Sequence, residues 1–281
     1  HDVNDKEGIR SNSIYSLLID DRGAVWVGHF QAGLDYSLYQ NGLFRTYDYP
    51  PLFNSANLSI RSFVNKGQEK VIGSRDGLFY INEATGVVKS FVKPVLTSDL
   101  ILTICFYQGE YYIGTYGGGM MVLNPETLSL KYFAQGDTEL FQKGHIFCVK
   151  PDAKGNLWIG TSQGLFSYNG QTKQIKSFTS ANSQLPEGNV YEVSFDSTGK
   201  GWIATETGMC IYDPASQSLR SNVFPEGFVN KDKVRTIYED AEHNLYFIRE
   251  KGSLFTSTLT MDRFQNRSIF STLPDNSLMS V

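Results

Sequence analysis

The sequence predicts an all-β protein built from one repeated four-stranded unit. Three observations carry that prediction: a ladder of residue types recurs six times at a period of about 44 residues, aromatic residues and glycine are abundant, and no repeat shows a helical 3.6-residue period. The ladder is clearest in Ile14, Leu17, Asp20, Gly23 and Trp26. It returns as Ile146, Val149, Asp152, Gly155, Trp158 and as Val190, Val193, Asp196, Gly199, Trp202. A worn copy reads Val234, Ile237, Asp240, His243, Tyr246. Two copies are one residue shorter before the anchor: Ile60, Phe63, Lys66, Val71 and Ile101, Ile104, Tyr107, Tyr112. Successive anchors therefore lie 41 to 46 residues apart.

Each repeat reads as four short strands, A to D. Strand A carries the apolar rungs and ends at Asp-x-x-Gly, a tight turn in which Asp bonds its own following backbone and Gly accepts positive φ. Strand B holds the anchor and a hydrophobic-Gly step: Trp26-Val27-Gly28, Val71-Ile72-Gly73, Tyr112-Ile113-Gly114, Trp158-Ile159-Gly160, and Trp202-Ile203-Ala204. A second glycine opens strand C at Gly33-Leu34, Gly77-Leu78, Gly119-Met120, Gly164-Leu165 and Gly208-Met209. Polar turns such as residues 82–86 follow, and strand D closes on Tyr47, Phe91, Phe133 or Phe178. Four strands in about 44 residues is the size of a β-propeller blade, and Trp26, Trp158 and Trp202 are expected to fill the space between neighbouring blades. The repeats run over about 12–56, 57–97, 98–143, 144–187, 188–231 and 232–274, and 275–281 opens a seventh that is cut off. The whole chain, 1–281, is expected to be one propeller or part of one, with six- and seven-bladed closure both open.

Composition narrows the functions. The 281 residues carry 25 Lys+Arg against 29 Asp+Glu, a formal net charge of −4, with no basic cluster to neutralise phosphates, so nucleic-acid binding is disfavoured. At 41% hydrophobic the chain has enough apolar surface for a core, which argues against disorder. Its longest strongly apolar stretch, 100–106, falls far short of the ~18 residues of a membrane helix.

The run Asp152-Ala-Lys-Gly-Asn-Leu-Trp-Ile-Gly-Thr-Ser-Gln-Gly-Leu165, preceded by Ile146 and Val149, resembles the two-component regulator propeller repeat. The likeness is close in repeats one, four and five and degraded in two, three and six. It implies a place in the periplasmic sensor region of a Bacteroides-type hybrid two-component system, an extracytoplasmic part of an inner-membrane protein. Such regions resemble receptors for glycan fragments, coupled through a membrane helix to a histidine kinase. The resemblance further implies other propeller and β-sandwich domains in the same parent chain, and a homodimer of the full sensor. Residues 275–281 have the form of residues 11–17, and 1–10 look like an inter-blade loop, so the chain is expected to be excised from a longer receptor.

Recognition is expected on one face. A–B and C–D turns share one side of a blade, while B–C turns and the long, variable D-to-A crossings share the other. The B–C turns offer His29, Phe30, Arg75, Asp76, Tyr116, Gln163, Glu206, Arg249 and Glu250, a mixture of aromatic, amide and charged groups that suits an oligosaccharide. Taken singly, each of these also reads as a solvated turn residue. Arg75 and Tyr116 are the preferred pair, as a planar multi-donor and a stacking ring.

No catalytic motif, metal site or cofactor is expected. His1, His29, His145 and His243 form no ligand cluster, and Gly117–Gly119 is followed by no helix or Gly-Lys-Ser/Thr. Asp20-Asp21-Arg22-Gly23 reads better as a turn than as a calcium loop, because Asp-x-x-Gly recurs. Cys105, Cys148 and Cys210 are expected as buried free thiols. Two other functions stay open: a propeller lyase, for which His29, His145, Glu206 and Glu250 share the favoured face, and a protein-interaction scaffold.

Overall fold

The computed structural model describes residues 8–20, 22–38, 43–47, 58–133, 138–221, 233–249, 254–258 and 264–267. The expected seventh-repeat opening, 275–281, lies outside them. Among the described residues are six four-stranded antiparallel sheets, each a meander in chain order. The first two are β1–β4 (Ile14–Ile19, Val25–His29, Leu34–Ser37, Phe44–Thr46) and β5–β8 (Ile60–Lys66, Glu69–Ser74, Leu78–Asn82, Val87–Phe91). The third is β9–β12 (Ile101–Tyr107, Glu110–Thr115, Met120–Asn124, Ser129–Tyr132). After α1 (Thr138–Lys143) comes β13–β16 (Ile146–Pro151, Asn156–Thr161, Gly164–Asn169, Ile175–Phe178). The last two are β17–β20 (Val190–Phe195, Gly201–Thr205, Gly208–Asp213, Ser218–Arg220) and β21–β24 (Val234–Glu239, Asn244–Arg249, Leu254–Thr258, Phe264–Arg267). This is the all-β, β-propeller class that the repeats predict. Two compact units divide the chain: sheets one to three with Phe141–His145 form one, and sheets four to six the other.

The ladder's spacing has a physical cause. In sheet one, Asp20 Oδ1 accepts the amides of Arg22 (3.0 Å) and Ala24 (2.9 Å), and Oδ2 accepts the Trp26 indole N–H at 3.0 Å. Asp152 holds Lys154, Asn156 and Trp158 in the same way, and Asp196 holds Thr198, Lys200 and Trp202. One carboxylate thus closes the turn and fixes the anchor six residues on. In the worn copy Asp240 accepts the Tyr246 hydroxyl at 2.8 Å, and His243 occupies the left-handed position at φ 64° that glycine takes elsewhere. The two shortened copies replace this loop with two-residue turns, between Lys66 and Glu69 and between Tyr107 and Glu110. In the second, Gln108 and Gly109 both have positive φ, the backbone that suits a tight hairpin.

The hydrophobic-Gly step brings the next blade close. At Gly160 an added Cβ would lie 2.5 Å from Cys148 Sγ and 2.8 Å from Val190 O, so the following strand A packs directly on the backbone. The anchors fill the gaps that remain, as expected. Trp158 stacks on Phe178 of its own sheet (5.6 Å between centroids) and meets Phe195 (5.8 Å) and Tyr212 (4.5 Å) of the next. Trp26 likewise packs on Phe63, and Trp202 on Phe247.

One element departs from the all-β reading. The six-residue α1 lies in the crossing between β12 and β13. Its Phe141 is fully buried, 5.1 Å from the Phe133 ring, with its backbone against Gly119. Burial of Leu140 and Phe141 holds this turn of helix, and so short a segment leaves no period in the sequence.

Candidate functional site

The B–C turns are built by one recurring hydroxyl. Ser74, Thr115, Thr161 and Thr205 end their B strands and donate to the carbonyls of Gly77, Gly119, Gly164 and Gly208 at 2.8–3.0 Å. The first three also accept an amide from within the turn, of Asp76, Gly118 and Gln163. Each turn is therefore closed from inside, and its tip side chains are left outside. Arg75, Asp76 and Gln163 are exposed there, as is Tyr116, whose ring lies 4.0 Å from that of His145. Glu206 is half-buried and accepts the Asn189 amide at 3.2 Å.

His29 does not sit in an exposed turn. It takes the hydroxyl's position at the end of β2, is fully buried, and its Nε2 lies 2.9 Å from Asp35 Oδ2. Asp35 stands where other sheets bury Phe79, Met121, Phe166 or Cys210, so a buried carboxylate here needs partners. Arg10 supplies the rest, with its amide at 2.8 Å and Nε at 2.9 Å. Burial alone would raise the Asp35 carboxyl, but His29 and Arg10 outweigh it and hold it below the ordinary 3.8. The side chain of Arg249, the last residue of β22, and all of Glu250 lie outside the described residues.

Sequence reasoning missed a second set of residues beside these turns. Each strand A breaks register with strand B at its start, as between Ile14 and Ser16, Ile60 and Ser62, and Val190 and Glu192. A register break of this kind re-aims the extra side chain. The residues at these breaks are Tyr15, Arg61, Leu102, Phe147, Tyr191 and Arg235, all half-buried. In the first unit, Arg61 Cζ lies 4.7 Å over the Tyr15 ring, and Phe30 meets that ring edge-on at 5.3 Å. In the second, Arg235 Cζ lies 4.7 Å over the Tyr191 ring, Lys233 Nζ lies 5.0 Å from it, and Phe147 packs at 5.1 Å. The signal was one column of the repeat, the residue after Ile14, Ile60, Ile101, Ile146, Val190 and Val234. Its side chains vary in type, so no shared chemistry marks it in the sequence.

Other features offer less chemistry. A cleft of about 400 Å³ between β16 and β20 is lined by Lys176, Asn182, Gln184 and Gln217. Two of its amides are engaged by the protein itself: Asn182 donates to Ser177 O, and Gln184 accepts from Ser221 N. Cys105, Cys148 and Cys210 are buried and form no disulfide among the described residues, and burial pushes the Cys148 and Cys210 thiols up. Among the described residues no three His, Cys, Asp or Glu side chains are grouped to hold a metal ion. No helix among them is long and apolar enough to cross a membrane.

Residues 8–31 and 141–163, the openings of the first and fourth repeats, match the family model described as two component regulator propeller. Those two segments are thus similar to two-component regulator propeller repeats. Among solved structures, the chain resembles the extracellular domain of the hybrid two component system BT3049 from B. thetaiotaomicron. The two are 21% identical with a TM-score of 0.68, over 100% of this chain and 44% of that one. The corresponding domain of BT4673 from the same organism is 17% identical with a TM-score of 0.59, over 85% of this chain and 37% of that one. The chain thus spans less than half the length of either. YCF48 bound to D1 peptide is also similar, at 14% identity and a TM-score of 0.67, over 95% of this chain and 85% of that one. At these identities the likeness is one of fold. No curated protein sequence matches the chain.

Proposed function

We propose that this regulator propeller is the non-catalytic ligand-recognition part of a periplasmic sensor in a hybrid two-component system. In this reading it responds to a glycan-derived oligosaccharide and signals to a histidine kinase in the same parent protein, working as a dimer beside further propeller and β-sandwich domains. The observation that carries the reading is the conjunction of segments similar to regulator repeats with outward Arg75, Asp76 and Tyr116 on internally closed turns of the first unit. Rigid turns bearing stacking rings and planar donors meet what sugar recognition requires.

Calorimetric titration of the chain, and of the parent's complete sensor region, with oligosaccharides from plant and host glycans tests it. Binding of at least one fragment is expected, weakened about tenfold by Arg75→Ala or Tyr116→Ala. A panel in which nothing binds, or a detected affinity that neither variant changes, overturns the site. Sustained product formation from a uronic-acid polysaccharide overturns the non-catalytic assignment.

A further inference from the structure

The register-break column carries more than the turns beside it. In both compact units the same pair recurs at the same repeat positions, Tyr followed one blade later by Arg, with the guanidinium 4.7 Å over the ring. The rings are themselves held. Tyr15 is braced by Phe30, and Tyr191 by Phe147 and by Asn189, whose amide donates to the tyrosine hydroxyl at 3.1 Å. A guanidinium stacked by its face on an aromatic ring keeps its in-plane N–H groups free. Arg61 shows this most directly: its Nε is buried without a hydrogen-bond partner, and no carboxylate pairs with it among the described residues. A buried charged donor left unsatisfied in a half-buried side chain is a group waiting for an acceptor. In the second unit Lys233 adds a further positive charge beside Arg235.

We propose that the Tyr15–Arg61 pair is a subsite for the acidic group of a sugar, a carboxylate or a sulfate ester, gripped by the in-plane edge of Arg61. Tyr15 is a positioning residue, which fixes the guanidinium plane before the ligand arrives. The geometry is that of planar, bidentate oxyanion recognition, for which Arg is suited and Lys is not. Local positive charge on a chain of net charge −4 makes the selection a matter of the site and not of bulk attraction. This inference rests on the glycan-sensor reading and narrows its ligand class to acidic oligosaccharides.

The test titrates the full chain with oligogalacturonate, with the same oligomer methyl-esterified, and with sulfated oligosaccharides from carrageenan. Acidic oligomers are expected to bind at least tenfold more tightly than the neutral ester, and the preferred acid tells carboxylate from sulfate. Arg61→Gln should weaken acidic binding at least tenfold, with Arg61→Lys recovering only part of it, and thermal melts of both variants check that they fold. Tyr15→Leu should weaken binding less and reduce the preference of Arg over Lys at position 61. Equal affinity for acid and ester, or indifference to Arg61→Gln, overturns the acidic subsite while leaving the glycan-sensor reading standing. Failure of acidic and neutral oligosaccharides alike overturns both.

Discussion

Trp158 shows how much one residue organises. Its indole N–H closes the Asp152 turn, its face stacks on Phe178, and its far edge fills the gap to Tyr212 of the next sheet, with only 1% of the side chain exposed. Trp158→Ala removes both the volume and the donor, so chemical denaturation should show a loss of about 3–5 kcal/mol. Trp158→Phe keeps most of the packing and loses the hydrogen bond, and should cost about 1–2 kcal/mol. A loss below about 1 kcal/mol for the alanine variant would contradict the packing seen here. The anchor's place between blades was legible, because a large flat side chain at a fixed period has few other uses. Its bond to Asp152 was not, since turn and anchor read as separate motifs until the carboxylate is seen to serve both. His29 was misplaced for a related reason. The repeat aligns it with turn-closing hydroxyls, but only three dimensions show that Asp35 has replaced an apolar residue and must be paired.

At the scale of the element, the repeat is a device for bringing one blade's strand A onto the next blade's strand B. Gly160 makes that approach possible: a methyl group there meets Cys148 Sγ at 2.5 Å and the Val190 carbonyl at 2.8 Å, and backbone cannot yield as a flexible side chain can. Gly160→Ala should therefore cost about 1–3 kcal/mol, read as a lower denaturation midpoint with unchanged slope. A neutral result would show that the blades can separate without penalty. Ala204 already occupies the equivalent place in the fifth repeat, fully buried, so the spacing there accommodates one methyl group. Strands and turns were legible because both periods, two within a strand and about 44 between repeats, are written into residue types. The register breaks that aim Tyr15, Arg61, Tyr191 and Arg235 were not, because a break depends on pairing between strands and leaves no mark on either strand alone. Helix α1 was hidden likewise, resting on Phe141 against Phe133.

For the whole molecule, acid is the informative perturbation, because several carboxylates are built into turns and pairs that need them ionised. Burial would raise Asp20 and Asp240, but hydrogen bonds from Trp26, Ala24 and Arg22 in one case, and from Asn244 and Tyr246 in the other, leave both below the ordinary 3.8. Asp35 is lowered by His29 and Arg10 against the same opposing burial. A carboxyl whose folded pKa is depressed binds protons more readily in the unfolded chain. Its contribution is complete above the unfolded value and is lost as pH falls through the folded one. Stability should accordingly hold from neutrality to about pH 4 and then decline steadily below it. Asp35→Asn separates this from general acid damage. At pH 7 the variant loses the charged partner of His29 and Arg10 and should be about 1–3 kcal/mol less stable than the parent. As pH drops below the ordinary carboxylate value the unfolded chain's Asp35 takes up its proton first, so the gap between the two should narrow until the folded carboxyl is protonated as well. Paired melts at pH 7, 5, 4 and 3 measure it. A gap that stays constant across that range would show that Asp35 is held by shape and not by charge.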